Sequence, residues 1–242
     1  VPVHGPDFDT AYAFRHALLR DAVLDRLMPR YEHEAEFATL GVEDRHDGAR
    51  ETVNIRVTPR DWPVERIEGV PPGTINPPPE IAARIQREQA LVGAARLRDD
   101  DRDDYEGHFI WPVKGRISGR FGNQRVYVLP DNSDVPKAPH SGMDIAVATG
   151  TPVLAPASGI VTFAAPDLYL TGGTVLLDHG HAVSSNFLHL SRIDVKVGDR
   201  VQQGQVIGAA GATGRATGPH LHWGMNWFDV RIDPLLVLDL KR

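Results

Sequence analysis

The sequence predicts a mainly β protein, with an antiparallel, sandwich-like sheet domain in its C-terminal half and a smaller α+β region before it. From Trp111 onward, short β-prone runs at residues 150–163, 174–178, 183–190 and 201–207 are separated by Gly-rich turns at nearly regular spacing. No long helical period interrupts them, which disfavours a parallel, doubly wound sheet. At 242 residues with 41% hydrophobic side chains, the chain can build one large core or two modest ones.

Along the N-terminal part the expected elements are fewer. Residues 9–28 place Phe14, Ala17, Leu18, Leu24, Leu27 and Met28 near one helical face, and Pro29 stops the helix. Residues 52–57 alternate, with Val53, Ile55 and Val57 on one side, and read as a strand that ends before Pro59. Two proline clusters, 71–73 and 77–79, punctuate the chain; residues 80–98 then read as a helix with Ile81, Ile85, Val92 and Ala95 on one face. The run of five aspartates and one arginine at 99–104 lacks the spaced ligands and turn glycine of an EF-hand loop, and reads as a solvated linker. These readings divide the chain into 1–75 (helix plus small β unit), 76–104 (Pro-flanked helix and acidic linker) and 105–242 (the β domain).

Composition narrows the chemistry. With no cysteine, there is neither a disulfide nor a thiolate ligand, so a transition-metal site must be built from His, Asp or Glu. The last glutamate is Glu106, so every later carboxylate side chain is an aspartate. Residues 1–107 carry 14 Lys and Arg against 22 Asp and Glu; residues 108–242 carry 12 against 10. Neither part has a basic stripe, which argues against a nucleic-acid partner. There is no apolar run long enough to span a membrane, and the N-terminus lacks the zones of a signal peptide. A start at Val1 rather than Met fits a processed chain whose targeting segment has been removed.

Six of the eleven histidines (140, 179, 181, 189, 220 and 222) fall within 83 residues. His140 and Asp144 are four apart around Gly142; His220 and His222 flank Leu221. Zinc accepts imidazole nitrogen and carboxylate oxygen in a tetrahedral shell, and catalytic sites use three such ligands with the fourth position open. Two histidines and an aspartate satisfy that count and leave one histidine over. On a strand, His220 and His222 project from the same face roughly 7 Å apart at the backbone, with Leu221 directed into the core. Pro139 and Gly142 argue against a helix at 140–144, which reads as a loop entering a strand. His179 and His181 read as turn histidines, with lining of the cleft as a second reading for His179. The glycine-rich stretch 208–214 lacks the spacing of a phosphate loop and reads as a loop shaping the approach to His220. There is no G-x-S-x-G elbow, and His33-Glu34-Ala35-Glu36-Phe37 misses the H-E-x-x-H zinc motif by a phenylalanine.

The ordered set of Gly115–Gly122, His140 through Ala146, Gly150–Val153, Ala155–Gly159, Asp178-His179-Gly180, His189-Leu190-Ser191, Gly198–Val201, Gly204–Gly208 and Thr213 through His222 strongly resembles the lysostaphin-type, or LytM-type, zinc endopeptidases of bacterial cell walls. The likeness covers about 109–238 and implies that fold for the domain. It implies one zinc ion per chain on His140, Asp144 and His222, with His189 and His220 as the catalytic pair. The implied reaction is hydrolysis of peptidoglycan stem peptides or cross-bridges by a metal-activated water. Histidine suits proton transfer in a site without glutamate, its ordinary pKa lying near 6.5. The implied setting is the periplasm or another exported compartment. Phe187 stands where many relatives carry a tyrosine, so a hydrogen bond from that hydroxyl is missing or supplied elsewhere. The rival function within the same fold is a catalytically silent wall-binding module or activator of another hydrolase; all five site positions being filled favours the enzyme. Residues 66–72 and the helix after them resemble the region preceding the catalytic domain in periplasmic members. Two readings stay open for it: latency, with an N-terminal polar group on the open zinc position, or a packing or partner-docking role.

Overall fold

Alternating apolar residues on long neighbouring strands build the main sheet of the protein, a computed structural model that describes residues 37–43, 50–56, 62–70, 72–75 and 77–238. The strands are β1 (Phe37–Glu43), β2 (Arg50–Arg56), β3 (Val64–Ile67), β4 (Arg116–Gly119), β5 (Gln124–Val128), β6 (Asp134–Pro136), β7 (Met143–Ala146), β8 (Pro152–Leu154), β9 (Gly159–Leu168), β10 (Gly172–Asp178), β11 (Val183–Leu190), β12 (Arg192–Ile193), β13 (Arg200–Val201), β14 (Val206–Ala209), β15 (His220–Trp227) and β16 (Val230–Ile232). Among the described residues, the helices are α1 (Pro72–Ile75), α2 (Pro79–Ala95) and α3 (Pro234–Leu238). The expected helix at 9–28 and the near-miss motif at 33–36 lie outside the described residues.

The main sheet runs β13-β9-β10-β11-β15-β7-β4, with β16 also paired to β15, and its neighbours are antiparallel. A second sheet, β12-β14-β8, supplies Val153 and Ile207 to the core that Val161, Val175, Leu177, Phe187, Leu221 and Trp223 fill from the main sheet. That is the expected mainly β, sandwich-like architecture. β1 and β2 pair antiparallel, and the strand expected at 52–57 falls within this unit, one residue short of Val57. A third sheet, β3-β5-β6, contains a parallel pair, β3 with β5, which an all-antiparallel expectation does not include. Through it, the chain before α2 joins the β domain directly.

Two expected runs divide. Residues 150–163 form β8 and the start of β9, and 201–207 split into the end of β13 and the start of β14. Both breaks have one cause: turns at Pro156 and Gly204 tie together, with Ala155 N–H donating to Gln205 O at 2.8 Å and Gly204 N–H to Ala155 O at 2.9 Å. Helix α2 ends at Ala95, three residues earlier than expected, and the half-buried side chains include Ile81, Ile85, Val92 and Ala95 as its periodicity predicts.

The acidic run is docked in part: Asp100, Arg102 and Asp104 are half-buried, while Asp99, Asp101 and Asp103 are exposed as the solvated reading expects. Arg102, inside the run, turns the chain inward: its guanidinium pairs with Asp104, Asp100 and the buried Asp178 at the end of β10. Asp104 also binds Arg200, and His181 N–H donates to Asp100 O at 2.8 Å. Gly180 permits this approach, with φ at +88° and a hypothetical Cβ only 1.6 Å from Arg102 O. Burial raises the Asp178 carboxyl to a pKa of about 6, with Arg102 opposing the shift.

A carboxyl whose folded pKa lies above its unfolded value favours the fold most at low pH, and that contribution is lost as pH rises through the folded pKa. Arg102→Ala removes the nearer of the two arginines, Arg102 and Arg98, that oppose the shift at Asp178. It is expected to lower stability by roughly 1–3 kcal/mol at pH 7 and by less at pH 4, where the carboxyl takes up a proton; urea unfolding at both values measures the difference.

Candidate metal centre

Cross-strand partners in an antiparallel pair share a face, and β15 is registered on β7 so that His222 lies opposite Asp144 and His220 opposite Ala146. The intervening Leu221 is buried in the core opposite Ile145, as its place between two outward histidines predicts. His140 arrives on the loop before β7, as expected. His140 Nε2 lies 3.0 Å from His222 Nδ1 and 3.1 Å from Asp144 Oδ1, and His222 Nδ1 lies 2.8 Å from the same oxygen. Among the described residues, these three form the cluster of histidine and carboxylate side chains able to hold a metal ion.

Their surroundings fix how each group faces. His140 Nδ1 is 3.0 Å from Arg120 O, an anchor that turns Nε2 toward the Asp144 oxygen and His222 Nδ1. The other oxygen, Asp144 Oδ2, is paired with Arg125. Burial alone would raise the Asp144 carboxyl, but the His140 and His222 hydrogen bonds outweigh it and hold the pKa well below the usual range. Burial pushes His222 down to about 4, keeping it neutral, with Asp144 opposing. Gly142 leaves room for the ring: a Cβ there would stand 2.6 Å from His222 Nε2 and 2.7 Å from Trp223 O.

The remaining two expected site residues stand beside this cluster. His189 and His220 rings are 4.7 Å apart. Each gives its Nδ1 to a backbone carbonyl at 2.8 Å, of Thr213 and Gly218 respectively, and His220 Nε2 lies 3.8 Å from Asp144 Oδ1. Strand alternation alone would send His189 toward the core beside Phe187. A bulge prevents this: Phe187 pairs with Val175 but Leu190 with Gly173, so β11 holds an extra residue, and His189 takes φ +63°. Burial, then the charges of His220 and His222, push its pKa to about 3.

Asp144, His189 and His220 line a cavity of about 420 Å³ whose other walls include Arg125, Arg215 and, from β3 and the residues after it, Glu65, Ile67 and Val70. Glu65 reaches Asp144 only through Arg125, at 3.6 Å from its Nε. Arg125 and Glu65 carry no motif that would mark them in a sequence. The Gly-rich loop did carry a signal, and its Thr213 carbonyl orients His189. His179 is not in the cleft: it is buried under Phe109, between Ser158 O at 2.7 Å and Ser185 Oγ at 2.8 Å. His181 is a turn residue paired with Asp103. Phe187 is wholly buried opposite Trp223, so a hydroxyl at its ring would point into the core rather than at the cluster.

Residues 138–234 match the model of peptidase family M23. Over 115 residues the chain is 44% identical to the peptidoglycan DD-endopeptidase ShyA of Vibrio cholerae, covering 47% of this chain and 26% of that protein. Over 170 residues it is 31% identical to the cell division protein DipM of Caulobacter vibrioides, covering 68% and 26%. The chain thus spans about a quarter of the length of these curated relatives. A solved structure of a candidate M23 peptidase from Pseudomonas aeruginosa superposes with a TM-score of 0.65 at 35% identity, over 86% of this chain and 75% of that one. Identity and coverage at that level, with the family's ordered motifs folded around one cluster, show that the chain belongs to peptidase family M23, the lysostaphin- or LytM-type metallopeptidases.

Proposed function

We propose that the protein is a zinc-dependent endopeptidase that hydrolyses peptide bonds in peptidoglycan stem peptides or cross-bridges. The observation that most supports this is that His189 and His220 stand beside a His-Asp-His cluster and line one cavity with its Asp144. The cluster fits zinc by its donor chemistry and its spacing. Edges of 2.8–3.1 Å between ligand atoms are close to the roughly 3.3 Å expected for a tetrahedron with bonds near 2.0–2.1 Å. His140 through Nε2, Asp144 through Oδ1 and His222 through Nδ1 would hold one ion per chain, leaving a fourth position open. Bound there, zinc supplies a Lewis acid and an activated water.

The chain's own residues do the rest. With both Nδ1 protons held by backbone carbonyls, His189 and His220 turn Nε2 lone pairs to the cleft. They share removal of the water proton, its return to the leaving amine, and hydrogen bonding to the oxyanion of the scissile group. Arg125 fixes Asp144 by its second oxygen and so keeps Oδ1 for the metal. We assign residues 105–242 to the catalytic unit, following 1–75 and 76–104. No described helix is long and apolar enough to cross a membrane. The proposed substrate lies outside the cytoplasm, so we place the protein's work in the periplasm or an equivalent exported compartment.

Three outcomes test the reading. Purified peptidoglycan incubated with the zinc-loaded protein should release cleaved peptides, and a chelator should stop this until zinc is restored; zinc binding without release defeats the enzyme in favour of a silent wall-binding module. His189→Ala should lower turnover by roughly a hundred- to ten-thousandfold while the protein keeps about one zinc per chain by mass spectrometry. Gly142→Ala pushes on His222 and should weaken zinc binding by roughly tenfold or more, read by competition with a chromophoric chelator.

A further inference from the structure

Strand β3 precedes α2 in the chain and lies outside the stretch that matches the family model, yet it runs parallel along β5 with Glu65 opposite Arg125. Further contacts tie it to the turn that leads into β5. Pro63 O accepts from Gln124 N–H at 2.9 Å. Trp62 covers Gly122, where φ is +79° and a Cβ would stand 1.7 Å from the indole, so only glycine fits beneath it. Glu65 Oε1 accepts from the side-chain amide of the buried Asn123 at 2.5 Å.

Two routes lead from Glu65 to ligands of the cluster. On the first, Glu65 Oε2 stands 3.6 Å from Arg125 Nε, and the same guanidinium holds Asp144 Oδ2. Gly119 opens the space for that pair: a Cβ there would lie 2.8 Å from Asp144 Oδ2 and 3.1 Å from Arg125 Nη2. The second runs through Asn123 to the loop before β7. Asn123 O accepts from His140 N–H, and His140 O accepts from Gly122 N–H, both at 2.9 Å. Groups one contact removed from a metal orient its ligands and tune their charge. Arg125 by itself sets a positive charge beside a carboxylate that is to hold a cation. Glu65 offsets that charge, and in a half-buried setting the offset is stronger than it would be in water.

We propose that Glu65 is a positioning residue for the metal: β3 completes the zinc site by holding Arg125 on Asp144 and Asn123 on the backbone of His140. The chain before the catalytic unit thereby gains a role opposite in sign to latency. Latency requires that loosening this chain free the site, whereas loosening β3 weakens it. The inference rests on the zinc-binding part of the endopeptidase reading and not on peptide cleavage.

Zinc affinity of the full chain, read by competition with a chromophoric chelator, tests it. Glu65→Gln keeps the shape of the side chain and removes its charge; it should raise the Kd for zinc about tenfold or more, while urea unfolding of the zinc-free protein changes little. Glu65→Asp, which keeps the charge on a shorter side chain, should recover part of the affinity. In an Arg125→Met background, Glu65→Gln should cost less than about threefold, because the two residues act in series. Unchanged affinity in Glu65→Gln, a loss of affinity matched by an equal loss of zinc-free stability, or fully additive effects of the two substitutions overturns the positioning role. The expected affinities without peptide release by the unsubstituted protein defeat the endopeptidase reading alone; an unsubstituted protein that binds no zinc defeats both.

Discussion

The pairing of β15 on β7 is the constraint from which the site follows. On one face it joins Leu221 to Ile145 and Trp223 to Met143, all buried in the core. On the other it sets His222 opposite Asp144. Strand side chains alternate with a period of two, so a slip of one residue would exchange these sets completely. Trp223 and Leu221 would meet water, while imidazoles and a carboxylate would enter an apolar layer where unpaired polar groups are costly. The packing of the core therefore holds the ligand register.

The proposed proton-transfer pair departs from that regularity. His220 sits in the β15 alternation, but His189 reaches the same cleft only because β11 bulges and its backbone enters the left-handed region at φ +63°. A non-glycine residue in that region is uncommon and is held there by its surroundings. Here the carbonyl of Thr213 accepts from the ring, and Thr171 O accepts from the His189 N–H at 2.8 Å. Two loops thus hold one strained residue, and the bulge re-aims a side chain that regular pleating would have buried beside Phe187.

Features written in local patterns were legible in the sequence. Alternation announced the strands, the H-x-H spacing announced two imidazoles on one face around a core leucine, and the absence of glutamate after Glu106 directed attention to histidine as the proton carrier. Features that depend on distant pairings were not. Arg125 has no distinguishing neighbours, and only the fold brings it to Asp144. The aspartate run reads as solvated by composition, yet Arg102 within it meets Asp178, 76 positions away, at the end of a buried strand. His179 looks like its neighbours in a histidine-rich stretch, but its strand end directs it beneath Phe109. A tyrosine-to-phenylalanine difference at 187 seemed chemical in the sequence and is a matter of core packing in the fold.

The division of labour between family motif and flanking chain follows from the same geometry. Cluster ligands and proposed proton carriers all fall within 138–234, the stretch matched to the M23 family, and all but His140, on the loop before β7, stand on strands of the main sheet. The walls on either side come partly from elsewhere: Glu65 and Ile67 belong to β3, and Ile85, Val92 and Arg96 belong to or end α2. On the β3 side Glu65 lies 3.6 Å from Arg125, which is itself paired with Asp144. Neither β3 nor α2 pairs with β7 or β15, so the register that sets the ligands is carried by strands inside the matched stretch.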